Sequence, residues 1–478
     1  MAVLCVDRAV DTGDGFIHEG NYFGNKGPLI GTRHVQILLL AFCLMIGIAT
    51  RASMAVQIVA MTSEDSSSNP DIPIYDWSNQ SIILSSFFWA YVVSNLFAGP
   101  LEKKYGPKWF LFGAIFINSL FYTLIPFAAE EFGSAGVIAC RILQGLGQGF
   151  MFPTQQVMLG LWAPTEERAT CGMAVFIGVT LGSTLATALT GYLSSTSWGW
   201  PSSFYFFGAM GFLWCIIYVF VGQNSPETHP RITRSEKNYI QLSLNQHQQI
   251  DIKIPWKKII TSVPVLANFV AQVGIAWSSN MAVTEYSTYL SKVMNFDIKS
   301  NGLYSALPAV VALLAGMFYG PMSDLAIKKH ILRTVNARRI CQMIGGVGVA
   351  LSLIFLSYLD ESHKMISIAL LSLLSFSQAA ANCGNIINMV DISPRFAGVI
   401  YGLLNSLSQS IALFAPILVQ YIVTDQTDVN QWRIVFLTTA GIIFGTAIIF
   451  TIFASGDRQP WDGPEDPENE QARKNSTQ

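Results

Sequence analysis

The chain is predicted to be an all-α, polytopic membrane protein with twelve transmembrane helices in two groups of six. Three observations carry that reading. Only 12% of the 478 residues are charged and the mean hydropathy is +0.42, with about half the charge of a soluble domain. The apolar residues gather into twelve runs near the roughly 20 residues that a hydrocarbon core of about 30 Å requires. Lysine and arginine fall almost wholly on one side of the map those runs define.

The elements follow in order. The first 33 residues are polar and Gly-rich, and the run after them is too long for the apolar core of a cleavable signal, so no secretory leader is expected. Runs 35–61, 81–101, 108–129, 133–158, 169–192 and 203–222 form the first group. Segment 223–261, with SPETHPRITRSEKNYIQ, reads as a polar linker containing some amphipathic helix. Runs 262–290, 301–323, 340–358, 365–389, 397–422 and 433–453 form the second group. The expected divisions are thus a 1–34 N-terminus, a 35–222 half, a 223–261 linker, a 262–453 half and a 454–478 tail.

With both termini and the linker in the cytosol, the cytosolic segments hold 22 of the 28 Lys and Arg. The outer loops hold only Lys292, Lys299, Lys364 and Arg433. The reverse orientation would invert this bias and is rejected. Asn79-Gln-Ser81 then stands at the first outer loop as a candidate glycosylation site. A net charge of −2 gives no reason to expect a nucleic-acid partner. The seven cysteines form no C-x-x-C pair, and small buried side chains are expected of them, without disulfide or metal site.

The two groups look like repeats. AGPLEKKYGPK after the second run mirrors YGPMSDLAIKK after the eighth, each a Gly-Pro exit followed by a basic turn. Gly178-x-x-x-Gly182 in the fifth run is matched by Gly398-x-x-x-Gly402 in the eleventh. Small residues four apart let helices approach closely. Matching motifs in corresponding spans suggest parallel halves with a site between them.

Two cations remain inside the runs, Arg51 and Arg141. An arginine at mid-membrane costs about 2.5–3.5 kcal/mol on insertion scales. The runs contain one acid, Glu285, near the outer end of the seventh. One acid for two arginines leaves a positive interior, which is costly for stability alone and serviceable if a transported anion supplies the missing charge. The alternative is structural pairing with buried carboxylates or helix carbonyls. Gln144, Gln148 and Gln155 follow Arg141 on its helix face, and suit either a cavity lining or a contact with a neighbouring helix. Asn382, Asn385 and Asn388 recur every three residues in the tenth run. Their amide oxygens suit Na⁺, or simply hydrogen bonds between helices. All six histidines fall outside the runs, so Glu285 alone is available there for a translocated proton.

At RILQGLGQGFMFP…LWAPTEER the chain resembles the anion-transporter family of the major facilitator superfamily. That family includes sialin, the vesicular glutamate transporters and the type I sodium–phosphate cotransporters. DWSNQSIILSSFFWAYVVSNLFAGPL, LYSALPAVV, DISPRFAGVIYGL and SGDRQPWDGPE also match, and KGPLIGTRHVQILLL is most similar to the insect inorganic phosphate cotransporter members. The resemblance runs from about residue 27 to 466. It implies the twelve-helix major facilitator fold and alternating access. Arg51 and Arg141 match the family's substrate-facing arginines, and Tyr91 a cavity tyrosine. Gln148 stands where vesicular glutamate transporters carry a glutamate, Leu84 where they carry a histidine, and Ile275 where their seventh span carries an arginine. Glutamine at 148 is usual in the phosphate and urate branch. Loop and gating roles fall to Asp324, Arg168, Asp391 and Arg395, whereas Lys103 replaces the acid usual in the first-half loop.

The expected function is secondary transport of a small anion, chiefly inorganic phosphate with Na⁺ as coupling ion. Substrate binding is assigned to Arg51, Arg141, Tyr91 and Gln148, and candidate coupling-ion contacts to Asn385, Asn388 and Glu285. The alternatives are an organic-anion carrier for urate, sialate or an acidic amino acid, and an anion sensor, which the short tail and linker disfavour. No nucleophile–base constellation suggests an enzyme. A monomer in lipid without cofactor is expected, in the plasma membrane, or else a lysosomal or vesicular one.

Overall fold

The computed structural model describes residues 28, 30–62, 69, 72–77, 79–244, 254–286, 289, 293, 294, 298–359, 361–412, 414–425 and 427–463. Every regular element among them is helical. Lys292, Cys5 and linker residues 245–253 lie outside the described residues, and the side chains of Lys103 and Lys299 are likewise outside them.

The first half contains α1 (Thr32–Thr62), α2 (Gln80–Tyr105), α3 (Pro107–Thr123), α4 (Ile125–Gln148), α5 (Met151–Trp162), α6 (Arg168–Ser194) and α7 (Pro201–Val221). The linker contributes α8 (Arg234–Leu244) and the short α9 (Trp256–Ile260). The second half contains α10 (Val263–Thr284), α11 (Ile298–Lys328), α12 (Thr334–Leu356), α13 (Lys364–Ile392), α14 (Ala397–Ala412), α15 (Phe414–Ile422) and α16 (Val429–Phe453). Nine helical spans among the described residues are long and apolar enough to cross a membrane. The third and fourth expected runs form a bent pair, Pro107–Thr123 with Ile125–Trp162, angled by 72°. Residues 263–284 of the seventh run form α10.

The backbone leaves helical geometry at Gly133 (φ 59°, ψ −147°), within α4 and at the first residue of the fourth expected run. Glycine adopts that backbone without a Cβ penalty. The eleventh run lies within one candidate span, Ala397–Ile422.

Helix α8 anchors the linker. Its Glu236 accepts the Thr32 and Arg33 backbone N–H groups at 2.9 and 3.0 Å, a carboxylate supplied to a helix N-terminus that has no acid of its own. Arg33 continues the clasp to Glu167 through Nε at 2.9 Å. A cavity of about 460 Å³ opens beside this clasp, and its cations Arg33 and Lys328 are already paired with Glu167, Glu236 and Glu166.

The matching glycine motifs do different work. Gly178 and Gly182 face the α1 backbone at Ala41 and Met45, within the first half. Gly398 and Gly402 face Pro153 of α5 and Asn95 of α2, across the halves. The two halves meet along α2–α14, α5–α14 and α6–α11. Large apolar side chains such as Phe42, Trp89, Phe97, Leu213 and Phe220 point outward, as lipid-facing helices require.

Candidate functional site

Gly145 and Gly149 bring α4 against the α2 backbone, where a Cβ would collide with the carbonyls of Phe87 and Tyr91. That approach sets the Phe87 ring 4.8 Å from the Arg141 guanidinium carbon. Arg51, from α1, lies over the same ring at 5.3 Å, and over Phe88 and Tyr91 at 4.6 and 5.5 Å. The two guanidinium carbons are therefore no more than about 10 Å apart. Aromatic faces attract cations by about 0.5–2 kcal/mol each, which offsets part of the desolvation. The sequence reading took Tyr91 from the FFWAY run and missed Phe87 and Phe88, whose role depends on which face of α2 meets the arginines.

Neither arginine pairs with a carboxylate among the described residues. Arg141, 2% exposed, donates from Nη1 to Gln144 Oε1 at 3.0 Å, and its Nε has no partner. Arg51 is half-buried. Tyr91 accepts the Asn405 amide of α14 on its hydroxyl at 3.1 Å, so this residue touches both halves.

Gln148 is engaged elsewhere. Its Nε2 lies within hydrogen-bond reach of Gly47 O, Thr50 Oγ1 and Asn118 Oδ1 at 2.7, 3.1 and 2.9 Å, and only Oε1 is left unpartnered. It ties α1, α3 and α4 together beneath the arginines. Thr50 and Asn118, themselves joined at 2.9 Å, complete a knot that residue spacing could not reveal.

The three candidate coupling-ion residues are not one site. Asn388 Oδ1 accepts from Asn268 Nδ2 at 2.9 Å, and its Nδ2 donates to Ser455 O at 2.7 Å. Asn385 donates to Gln272 Oε1 at 2.6 Å and keeps an unpartnered, buried Oδ1. Glu285 caps the far end of α10. Thirteen residues of helix separate it from Gln272, about 20 Å, so Glu285 and the asparagines cannot share an ion. Asn79, the candidate glycan acceptor, donates its Nδ2 to Ser134 Oγ at 3.1 Å.

At the linker end the gating candidates assemble across the halves. Asp324 of α11 accepts the Ala169 and Thr170 N–H groups at 3.1 and 2.6 Å, capping α6. Asp391 of α13 accepts Arg168 Nη1 at 3.1 Å and Arg338 Nε at 2.7 Å. Arg338 also donates to Ser323 Oγ at 2.8 Å, and it is a member that sequence reasoning missed. Arg395 stands apart. Its backbone N–H donates to Asp462 Oδ1 at 3.2 Å while its Nη1 has no partner. A second omission is Glu102, read as part of a basic loop and found 1% exposed between the halves.

This arrangement can hold a small anion between two cations, at the level where the halves meet, above a closed linker end. A profile of the Major Facilitator Superfamily matches residues 37–416. A Drosophila ananassae protein named "Putative inorganic phosphate cotransporter" is 35% identical over 452 residues, covering 89% of this chain and 93% of its own. Human vesicular glutamate transporter 2 is 31% identical over 444 residues, 90% of this chain and 75% of its own. Sheep sialin is 31% identical over 388 residues, 81% and 77%. The fold and these matches together make the chain a transporter rather than an enzyme: it belongs to the major facilitator superfamily, in the anion-transporter family that holds sialin, the vesicular glutamate transporters and the insect phosphate cotransporters.

Proposed function

We propose that the chain carries inorganic phosphate across its membrane by alternating access, with Na⁺ as coupling ion. The observation that carries the anion reading is the pair Arg51 and Arg141, two guanidiniums on one aromatic ring with no carboxylate partner among the described residues. A buried cation without an anion is expensive, and a phosphate between two planar forks meets both with charge-assisted hydrogen bonds. The similarity to proteins named phosphate cotransporters supports phosphate.

The Na⁺ reading rests on electrostatics. Moving a divalent anion into a negative-inside compartment costs about 2.3 kcal/mol per charge per 100 mV, so two or more cations must accompany it. Gln148, held in the knot beneath the arginines, cannot titrate. Asn385 offers a buried neutral oxygen without a hydrogen-bond partner, the type of ligand Na⁺ takes. The working unit in this reading is a lipid-embedded monomer of the plasma membrane, needing no cofactor.

The test is uptake of labelled phosphate into proteoliposomes, with Na⁺, pH and voltage set independently. Uptake that collapses when Na⁺ is replaced by a large inert cation supports the reading. Uptake indifferent to Na⁺ but driven by a pH gradient rejects Na⁺ coupling. No phosphate uptake, with urate, sialate or glutamate moving instead, rejects phosphate and favours an organic-anion carrier.

A further inference from the structure

Glu102 closes the last turns of α2, at the end of the bundle where Lys108 N–H meets Asn224 of the linker at 2.8 Å. It is buried between α5 and α14, which belong to opposite halves. Its Oε1 lies 2.5 Å from the Thr154 hydroxyl of α5, whose single hydrogen is shared with Phe150 O, also at 2.5 Å. Its Oε2 has no donor. Gly398 of α14 is so close that a Cβ there would stand 3.2 Å from Oε2.

No cation among the described residues pairs with this carboxyl. The elements around it explain why. α5 carries no titratable side chain, and α14 carries only Tyr401. From α1, Arg33 is held by Glu167 and Glu236, His34 accepts the Gly31 N–H, and Cys43 is buried in the apolar core. From α3, the Lys108 ammonium donates to Val219 O at 3.0 Å. Arg51 and Arg141, and with them Tyr91, lie at the level of Phe87 to Tyr91, eleven or more residues up α2, about 16 Å away. Glu130, Glu131 and Cys140 of α4 lie beyond Arg141, still further from Glu102. On α2 itself Lys104 and Tyr105 are exposed, with the ammonium over its neighbour's ring at 5.0 Å, and Lys103 has no described side chain.

The corresponding turn of the second half gives its acid more donors. Asp324 is given two backbone N–H donors by the start of α6. Glu102 receives one hydroxyl. An ionised carboxylate with a bare, buried oxygen and no cation pays a desolvation cost that a neutral carboxyl largely avoids.

We propose that Glu102 is a proton-binding site tied to alternating access: its carboxyl takes a proton from the aqueous phase at the linker end as the seam between α2, α5 and α14 closes, and returns it there when the seam opens. One O–H bond forms and breaks, and no other group changes. The sign follows from linkage. The closed form binds the proton more tightly than the wetted, open form, so closure is favoured at low pH and lost as pH rises through the titration of the closed form. The reading holds for any transported anion.

The test uses the purified full-length protein in detergent, without substrate or ion gradients, so it is independent of the phosphate and Na⁺ assignments. Val399 packs against Gly99 inside this seam and is 4% exposed. Maleimide labelling of V399C is measured from pH 5.5 to 8.5 with Glu102 intact and with Glu102→Gln, and the ratio of rates cancels the titration of the thiol itself. The expected ratio climbs at least about tenfold with pH, because the glutamine form stays closed throughout. A flat ratio overturns the proposal. So does a glutamine variant that labels fast at every pH, since the negative charge rather than the proton would then hold the seam. If Glu102→Gln does not fold, Thr154→Val carries the test. Removing the one hydroxyl that touches the carboxyl moves the midpoint of the labelling profile, and an unmoved midpoint overturns the proposal.

Discussion

Arg141 keeps a guanidinium over one aromatic ring with a single amide oxygen as acceptor, so most of its hydrogen-bonding capacity is uncommitted. Arg141→Ala is expected to leave insertion intact, since a central arginine costs about 2.5–3.5 kcal/mol to insert. Transport should fall by at least about a hundredfold, because each charge-assisted hydrogen bond lost is worth about 1.5–3 kcal/mol and 1.4 kcal/mol is about tenfold. Arg141→Lys should recover less than about a tenth of the lost rate, since a point charge lacks the planar fork. Uptake normalised to protein in the vesicle membrane checks both, and an alanine variant with normal uptake would make the arginine structural. Residue identity made Arg51 and Arg141 legible, because an unpaired charge in an apolar run is conspicuous on its own. Gln148 was not legible in that way. Its type fits a cavity wall and an interhelical knot equally, and only the positions of Gly47, Thr50 and Asn118 decide for the knot.

Among the elements, the segment after α16 has a larger role than its polar composition suggests. Residues 455–463 fold back beneath the bundle. Gln459 N–H donates to Ile392 O at 2.8 Å, Trp461 packs on Phe396, and Asp462 gathers Ser393 Oγ, the Arg395 N–H and Arg458 Nε. Burial pushes the Asp462 carboxyl above the usual range, opposed by Ser393 and Arg458. This latch spans the end of α13 and the start of α14, next to Asp391. Asp462→Ala strands three donors and is expected to cost about 2–4 kcal/mol. A Tm several degrees lower in detergent, with the KM for the anion unchanged, would agree. An unaltered Tm would show that the latch contributes nothing to stability. The matching glycine pairs carry the same lesson for element-level reading. Spacing alone announced close packing correctly, but Gly178 and Gly182 meet α1 while Gly398 and Gly402 meet the opposite half.

For the whole molecule, the linker end is held by charges from both halves. Asp391 serves two buried guanidiniums, Arg168 and Arg338, at once. Asp391→Asn removes the carboxylate that both guanidiniums pair with, and breaking such a buried pair costs about 3–5 kcal/mol. Labelling of V399C should rise by about a hundredfold or more at fixed pH, and unchanged labelling would remove Asp391 from the gate. Orientation is tested separately. Ile240 is fully buried, so the reporter on α8 is better placed at Leu242, 44% exposed, with its partner at the exposed Asp425. The six described native cysteines are buried and free, which keeps background low. Cysteines at 242 and 425 should label from opposite faces of sealed vesicles, as the basic-residue bias requires, and same-face labelling would reject the twelve-span map.

The sequence by itself determined the helical class, the twelve runs and the two unbalanced arginines. The reason is that a bilayer withholds water from the backbone, so every span must be an apolar helix of fixed minimum length, and a charge within one stands out. Tertiary structure decided everything that depends on what covers a residue. A window of hydropathy assigned Glu102 to a basic turn, because its neighbours in the chain are lysines, yet its neighbours in space are Thr154 and Gly398. Arg168 and Asp391 lie 223 positions apart and meet at 3.1 Å. No local pattern encodes such pairs. They arise when one half closes on the other, and the same closure decides which buried polar groups are satisfied and which are left to bind an anion or a proton.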